Sequence, residues 1–554
     1  MSPPRATILY AKDGYDTSRP RLMGRHAAGE GFLRGMVRHS GFDRLVALVP
    51  RPADAAAFQA QARDLSATMA LEAVPEAELH RVAETGCLML PGPEMVPFAW
   101  RRQRTGAAGY SLVGITHTTA SHGAMDSIAD LLTGPLQPWD ALICTSAAVR
   151  ASVRRLLEGE AAWLKQRLGA TRFVPPALPV IPLGVDVPAL ARDEAARALW
   201  RGRLGVGPRD VVVLHHGRLS FHAKAHPLPM FLGLGRAAAA APAGARVHLL
   251  LSGWFADEVQ RGAFQAMAQA LCPQLAIHHV DGRKPEVRQA IWSAADAFTL
   301  LSDNVQETFG LAPVEAMAAG LPVVATDWDG LRDTVEHGVT GFRVPTLMGG
   351  PMGDLAARHE ATLDSYDSYI AGAAQFTAVD VGATEEAFRA LVADAGLRAR
   401  MGEAGRQRAA ALFDWSVVIG QYRALWAELG AIRGKAKPGT GDSPRRADPA
   451  VLFADYPTRR LGGQTRLRLA PGIPDAAAAV ARLTALAAIP GVAPRRELLP
   501  AEAGFQAALA VLEGGPATVA AMAAAVPPAR AARLARALAW LVKVDVLRMA
   551  EDGS

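Results

Sequence analysis

Short uninterrupted apolar runs recur along this chain, each followed by a stretch with helical spacing, and the whole series occurs twice. The first series is ATILYA, RLVALVP, CLML, SLVGITH and DALICTS; the second is VVVLHHG, RVHLLLSG, LAIHHVDG, AFTLLSD and LPVVATD. A strand that is apolar on both faces must be covered on both, and parallel sheets achieve this with crossover helices. The pattern predicts an α/β chain with two successive doubly wound units, because 554 residues exceed one ordinary core. Ligands of such sheets bind beyond the carboxyl ends of the strands, so the loops there are expected to carry the chemistry.

The predicted boundaries are 1–187 for the first unit and 188–432 for the second. Between RLVALVP and CLML the alanine-rich stretch reads as one long helix, and VIPLGVDVP as the exit from the first unit. The segment after residue 345 has weak periodicity and is expected to elaborate the second unit, which closes with a helix around WSVVIGQYRALWAELG. Residues 433–473, rich in Gly, Pro, Ser and charge, read as a linker. Residues 474–554 read as a small, mostly helical accessory module, with helix, turn, helix and strand arranged as in a winged helix.

Charge and cysteine usage narrow the class. The net charge of +6 favours anionic partners, though over this length a merely well-solvated surface fits equally. Cys87, Cys144 and Cys272 are widely spaced in or near apolar runs and read as buried, reduced thiols. The apolar run at the N-terminus is too short for a signal peptide, and no stretch approaches the ~18 apolar residues of a spanning helix. A cytoplasmic protein is expected, with peripheral contact at the inner membrane face left open.

Residues 302–330, SDNVQETFGLAPVEAMAAGLPVVATDWDG, are the most informative. A strand ends in a loop carrying Glu307, Thr308, Phe309 and Gly310, and a helix is predicted to begin near Pro313 and to stop at Gly320. Unpaired backbone N–H groups at a helix start attract anions, and Gly310 permits close approach to the backbone. Glu307 and Glu315 flank this anion site; a carboxylate accepts paired hydrogen bonds from vicinal hydroxyls, which suits a diphosphate with a sugar on either side. Taken singly, Glu315 could merely complement the helix dipole and Glu307 could be solvated.

The stretch resembles the signature of GT-B-fold retaining glycosyltransferases of family 4 type, the group 1 glycosyltransferases, which carry two glutamates at this separation. The likeness extends through EAMAAGLPVVATD and GLRDTVEHGVTGFRVP and covers about residues 5–430. It implies two Rossmann-like domains facing a cleft, and transfer of a sugar from a nucleoside-diphosphate-sugar to a glycan, lipid-linked or other acceptor with retention of configuration. Arg218 and Lys224, in GRLSFHAKAHP, match the family's arginine and lysine that bind the departing diphosphate; here the lysine is one position later than usual and is followed by Ala225, not glycine. The resemblance gives Glu307 the donor-sugar hydroxyls, Glu315 the ribose, and Phe309, Gly310 and Leu311 the phosphate. His117, in ITHTTASHG, would face the sugar or acceptor from the other domain, or else simply bond a nearby carbonyl.

Gly29, Glu30 and Gly31 occupy the place of the family's glycine-rich acceptor and phosphate turn after the first strand. Lys12 and Gly14 mimic poorly the motif of glycogen and starch synthases, so glycogen synthesis is disfavoured. Asp327 and Asp329 bracket Trp328 one strand beyond the phosphate loop, so no metal ion or other cofactor is expected, the sugar nucleotide being a substrate. Base contacts are expected from the loop around Asp281 to Pro285. Two rival classes are a sugar-nucleotide epimerase, which would need an acid–base pair, and a regulator or scaffold with a degenerate core. Arg530, Arg533 and Arg536 would face phosphates if the tail bound nucleic acid; their spacing also fits a solvated helix face, and a homo-oligomer or docking role is preferred.

Overall fold

The computed structural model describes residues 5–17, 24–437, 439–499 and 502–550, and divides into a unit of residues 1–443 and a second unit of residues 444–554. In the larger unit the first sheet contains β1 (Thr7–Leu9), β2 (Arg44–Val49), β3 (Ala70–Pro75), β4 (Cys87–Met89), β5 (Ser111–Ile115) and β6 (Ala141–Ile143). Its order is β3-β2-β1-β4-β5-β6, and every pairing is parallel, with Ile8 in register with Ala47 on one side and Met89 on the other. The second sheet contains β7 (Val211–Arg218), β8 (Val247–Trp254), β9 (Ala276–Asp281), β10 (Ala297–Leu300), β11 (Val323–Thr326) and β12 (Gly341–Val344), in the order β12-β11-β10-β7-β8-β9. Counted within its own half, this is the same Rossmann-like order as the first. The crevice where strand order reverses therefore lies between the carboxyl ends of β7 and β10.

The apolar runs are strands because both faces are covered: Val211–Leu214 and Ala297–Leu300 are buried along their whole length. Two edge strands were not apparent in the sequence. Residues 70–75, read as part of one long helix, form β3 after a helix that stops at Asp64, and only Val74 of the strand is buried. Gly341–Val344 forms β12 at the other sheet's edge. An edge strand covered on one side need not be continuously apolar, so the run that marks a central strand is missing.

After β12 the chain makes an excursion before returning to the second half. It comprises an antiparallel pair, β13 (Thr346–Met348) with β14 (Thr377–Val379), around helices Gly353–Glu360 and Tyr366–Gln375. The expected closing helix is Trp415–Arg433, and it packs into the core of the first half through Trp415, Val418, Ile419, Tyr422 and Trp426. Val185 N–H donates to Phe413 O at 2.8 Å and Trp415 N–H to Val185 O at 3.1 Å, so both chain crossings between the halves are fastened side by side.

The smaller unit begins well before residue 474. β15 (Arg466–Leu469), which the sequence reading placed in the linker, is the central strand of a sheet with β16 (Ala517–Thr518) and β17 (Leu547–Met549). Its Gly- and Pro-flanked position made it look like linker, yet Leu467 is fully buried in this unit's core. The helix, turn, helix and strand occur at Val519–Ala524, Pro528–Lys543 and β17, with Arg530, Arg533 and Arg536 exposed. The three cysteines are free and buried. No helix among the described residues is long and apolar enough to cross a membrane.

Candidate active site

The loop after β10 descends through buried Ser302, Asp303 and Asn304 before it reaches Glu307. Phe309, 2% exposed, fixes the loop against Phe413 with ring centroids 5.9 Å apart. Gly310 has φ +87°, and a Cβ there would stand 2.3 Å from Leu331 Cδ2, so both conformation and space require glycine. The helix runs Leu311–Ala318, beginning two residues before the predicted start. Pro313 is thus the third helical residue and supplies no donor; the N–H groups of Leu311 and Ala312 have no acceptor among the described residues. Two unpaired donors at a helix start are the arrangement that attracts negative charge.

Arg218 ends β7 at the strand-order reversal. Its guanidinium donates to Ala223 O at 3.2 Å, and burial pushes its pKa below the ordinary value, against the pull of Asp367 and Glu307. Lys224 Nζ lies 2.5 Å from Glu307 Oε2, and Gly310 N–H donates to Glu307 Oε1 at 3.2 Å. Burial alone would raise the Glu307 carboxyl; Lys224 and the backbone donors outweigh it and hold the group below the usual carboxylate range. The two residues expected to hold phosphate and sugar are therefore paired with each other in this structure. Ala225, where the resemblance expects glycine, packs in the second half's core.

Glu315 lies in the second turn of the helix, not the first, which removes the dipole explanation for it. Burial raises its carboxyl to about 7, opposed by Arg288 and Lys224. His117 follows β5 in the first half, and burial lowers it to about 4, so the ring is neutral at neutral pH. Its backbone carbonyl accepts from Thr308 Oγ1 at 3.1 Å, and Thr145 Oγ1 donates to Thr308 O at 3.4 Å. Both contacts tie the first half directly to the loop after β10.

His117, Arg218, Lys224, Glu307, Glu315 and the backbone of Phe309, Gly310 and Leu311 line one cavity of about 470 Å³ between the halves. Gly29, Glu30 and Gly31 do not form the expected turn. They lie within the helix Gly24–His39, where Glu30 pairs with Arg34 at 2.5 Å. Their glycines serve packing: a Cβ on Gly29 would meet Gly14 O at 2.2 Å, and one on Gly31 would lie 3.0 Å from the Trp415 indole. It is the N-terminal end of that helix, through Gly24, Arg25, Ala27 and Ala28, that lines the cavity.

Trp254, Gly282, Arg283 and Arg288 also line the cavity. Arg283 lies over the Trp254 ring at 5.7 Å and pairs with Asp281 at 2.7 Å. The loop expected to meet the base is thus represented, whereas Trp254 was missed, although its place at the carboxyl end of β8 was a usable signal. Tyr366 and Gln306 line the cavity as well. Tyr366 comes from the excursion after β12, where nothing in the sequence connects it to a site. Asp327 faces Arg332 and Arg343 at 3.6 and 3.5 Å, and Asp329 is buried near Ser146 Oγ, 3.5 Å away, with burial and then Glu307 raising it to about 8.

Residues 201–347 match the family described as Glycosyl transferases group 1. Among curated proteins, a D-inositol 3-phosphate glycosyltransferase of Nocardia farcinica is 32% identical over 190 residues, which cover 33% of this chain and 39% of that protein. One of the same name from Corynebacterium urealyticum is 39% identical over 80 residues, 14% of this chain and 18% of the relative. The chain thus spans about two fifths or less of the length of these relatives. Among solved structures, Anabaena Alr3699/HepE in complex with UDP aligns at 17% identity and TM-score 0.49, covering 76% of this chain and all of that one. Sucrose-phosphate synthase from Thermosynechococcus elongatus aligns at 17% identity and TM-score 0.46 over 77% of this chain and all of that one.

Proposed function

We propose that the protein moves a sugar from a nucleoside diphosphate to a hydroxyl-bearing acceptor, a reading supported by the match of residues 201–347 to the group 1 glycosyltransferase family. The observation that carries the proposal is the convergence of Arg218, Lys224 and the unpaired N–H groups of Leu311 and Ala312 on one cavity flanked by Glu307 and Glu315. When the bond between anomeric carbon and diphosphate breaks, negative charge grows on the leaving oxygen. Arg218, the helix start and Lys224, once drawn from Glu307, stabilise that charge. In this reading no metal ion is called for.

The diphosphate takes Lys224 in place of part of its contact with Glu307, and freed carboxylate oxygens then accept from the sugar's hydroxyls. Glu315 accepts from the ribose. His117, neutral and set on the opposite half, supplies a hydrogen bond to the sugar or acceptor. The acceptor approaches from the first half, beside Arg25 and Ala28. Attack on the same face from which the diphosphate departs gives retention of configuration, with a dissociative transition state and no covalent sugar–enzyme bond.

A thermal-shift screen of nucleoside diphosphates and their sugars tests this. A ligand present at a hundred times its Kd stabilises by about 2.7 kcal/mol, enough to raise the transition by degrees. The matching nucleotide is expected to do so, and a screen in which none does overturns the proposal.

A further inference from the structure

The excursion between β12 and the rest of the second half contributes to the wall of the cavity through Tyr366. Tyr366, the first residue of its second helix, lines the cavity together with Thr118, Ser121 and Gln306. The phenol hydroxyl donates to Gln306 Oε1 at 3.1 Å, and Gln306 Nε2 donates to Ala223 O at 2.7 Å, the same carbonyl that accepts from Arg218. Both ends of the Gln306 amide are therefore committed to protein partners. The Tyr366 oxygen also accepts from the Thr118 side chain, so its ring and one remaining lone pair are left for a ligand.

The wall that carries Tyr366 is firmly seated against both halves. Ile370, fully buried, packs with Ala120 of the first half and Ala223 of the second, and Tyr366 and Tyr369 lie against this cluster. His359 of the excursion lies against His122 of the first half, rings tilted and centroids 3.9 Å apart, and stacks on Tyr369 at 5.0 Å. A rigid phenol beside a cavity is suited to the C–H face of a sugar, with its oxygen accepting from one hydroxyl.

We propose that Tyr366 contacts the transferred sugar and determines which sugar the cavity accepts. This rests on the glycosyl-transfer reading, which fixes the order of parts along the cavity. A sugar nucleotide is linear, with the base at one end and the diphosphate in the middle. Base contacts at Trp254 and Arg283 and diphosphate contacts at Arg218 and Lys224 leave the sugar to the part of the cavity at Glu307, whose neighbour Gln306 holds the Tyr366 hydroxyl.

The test uses the full chain and its Tyr366→Ala and Tyr366→Phe variants, with Kd measured for UDP, GDP and ADP and for their glucose, galactose and mannose derivatives. Tyr366→Ala is expected to bind the preferred nucleoside diphosphate within about twofold of the parent, yet to lose at least tenfold for its sugar derivative. Tyr366→Phe is expected to keep the ring's contribution while narrowing the difference between sugars that are epimers at one hydroxyl. Unchanged sugar preference in both variants overturns the proposal and leaves the function standing. So does an equal loss for the free diphosphate and its sugar derivative, which marks a structural role. A parent chain that binds none of the three diphosphates overturns the function, and this inference with it.

Discussion

Glu315 offers the sharpest prediction, because its ionisation and its proposed ligand contact are linked. Burial raises its carboxyl to about 7, so near neutrality the group is divided between two forms. Only the carboxylate can accept paired hydrogen bonds from vicinal ribose hydroxyls. Binding therefore releases a proton, and affinity for a nucleoside diphosphate should rise with pH until Glu315 is ionised. At pH 6 about a tenth of the group is ionised and at pH 8 about nine tenths, so Kd should fall about tenfold across that interval. In Glu315→Gln the contact with a charged acceptor is lost, at a cost of about 1.5–3 kcal/mol, or roughly 10- to 150-fold in Kd at pH 8. Calorimetric titration from pH 5.5 to 8.5 with both proteins is the assay. Asp303, raised to about 7 by burial, and Asp329, raised to about 8, ionise over the same range in parent and variant alike. The difference between the two profiles therefore isolates Glu315, and a glutamine variant with the parent's affinity and pH profile would refute the reasoning.

Three further outcomes follow from the packing and the charge. Arg218→Lys keeps a cation but loses the planar fork; kcat with the cognate donor should drop by about 10²-fold or more, and a drop below threefold would remove Arg218 from the leaving-group site. Gly310→Ala must both hold φ +87° and displace Leu331, so chemical denaturation should show a loss of at least about 1–2 kcal/mol, with weaker nucleotide binding; a neutral change would contradict the loop geometry. Trp415→Ala removes an indole packed against Gly31, Gly35 and Gly184 in the first half's core, and the same measurement should show a loss of about 3–5 kcal/mol.

The sequence made some parts of this molecule legible and hid others for identifiable reasons. Central strands such as Val211–Leu214 declare themselves because burial on both faces demands an unbroken apolar run. The edge strands β3 and β12 are half-buried and were passed over, and β15 was lost among linker-like neighbours. The loop after β10 was legible because Gly310, the two glutamates and the strands on either side lie within a short span. The helix start was misplaced for a local reason: proline is favoured at the first helical position, but Gly310 in the left-handed region caps the helix two residues earlier. Gly29 and Gly31 looked like a ligand turn because close packing on Gly14 and Trp415 demands the same residue type as close approach to a phosphate. Tyr366 had no sequence signal, since only the folded excursion brings it beside Gln306.

The most direct measurement is a crystal structure of the chain with the nucleoside diphosphate that stabilises it best. The account predicts diphosphate oxygens within hydrogen-bond distance of the Leu311 and Ala312 N–H groups, with Arg218 and Lys224 on the same oxygens and the ribose on Glu315. A nucleotide bound away from this helix start, or held in the cleft with Arg218 and Lys224 both turned elsewhere, would contradict it.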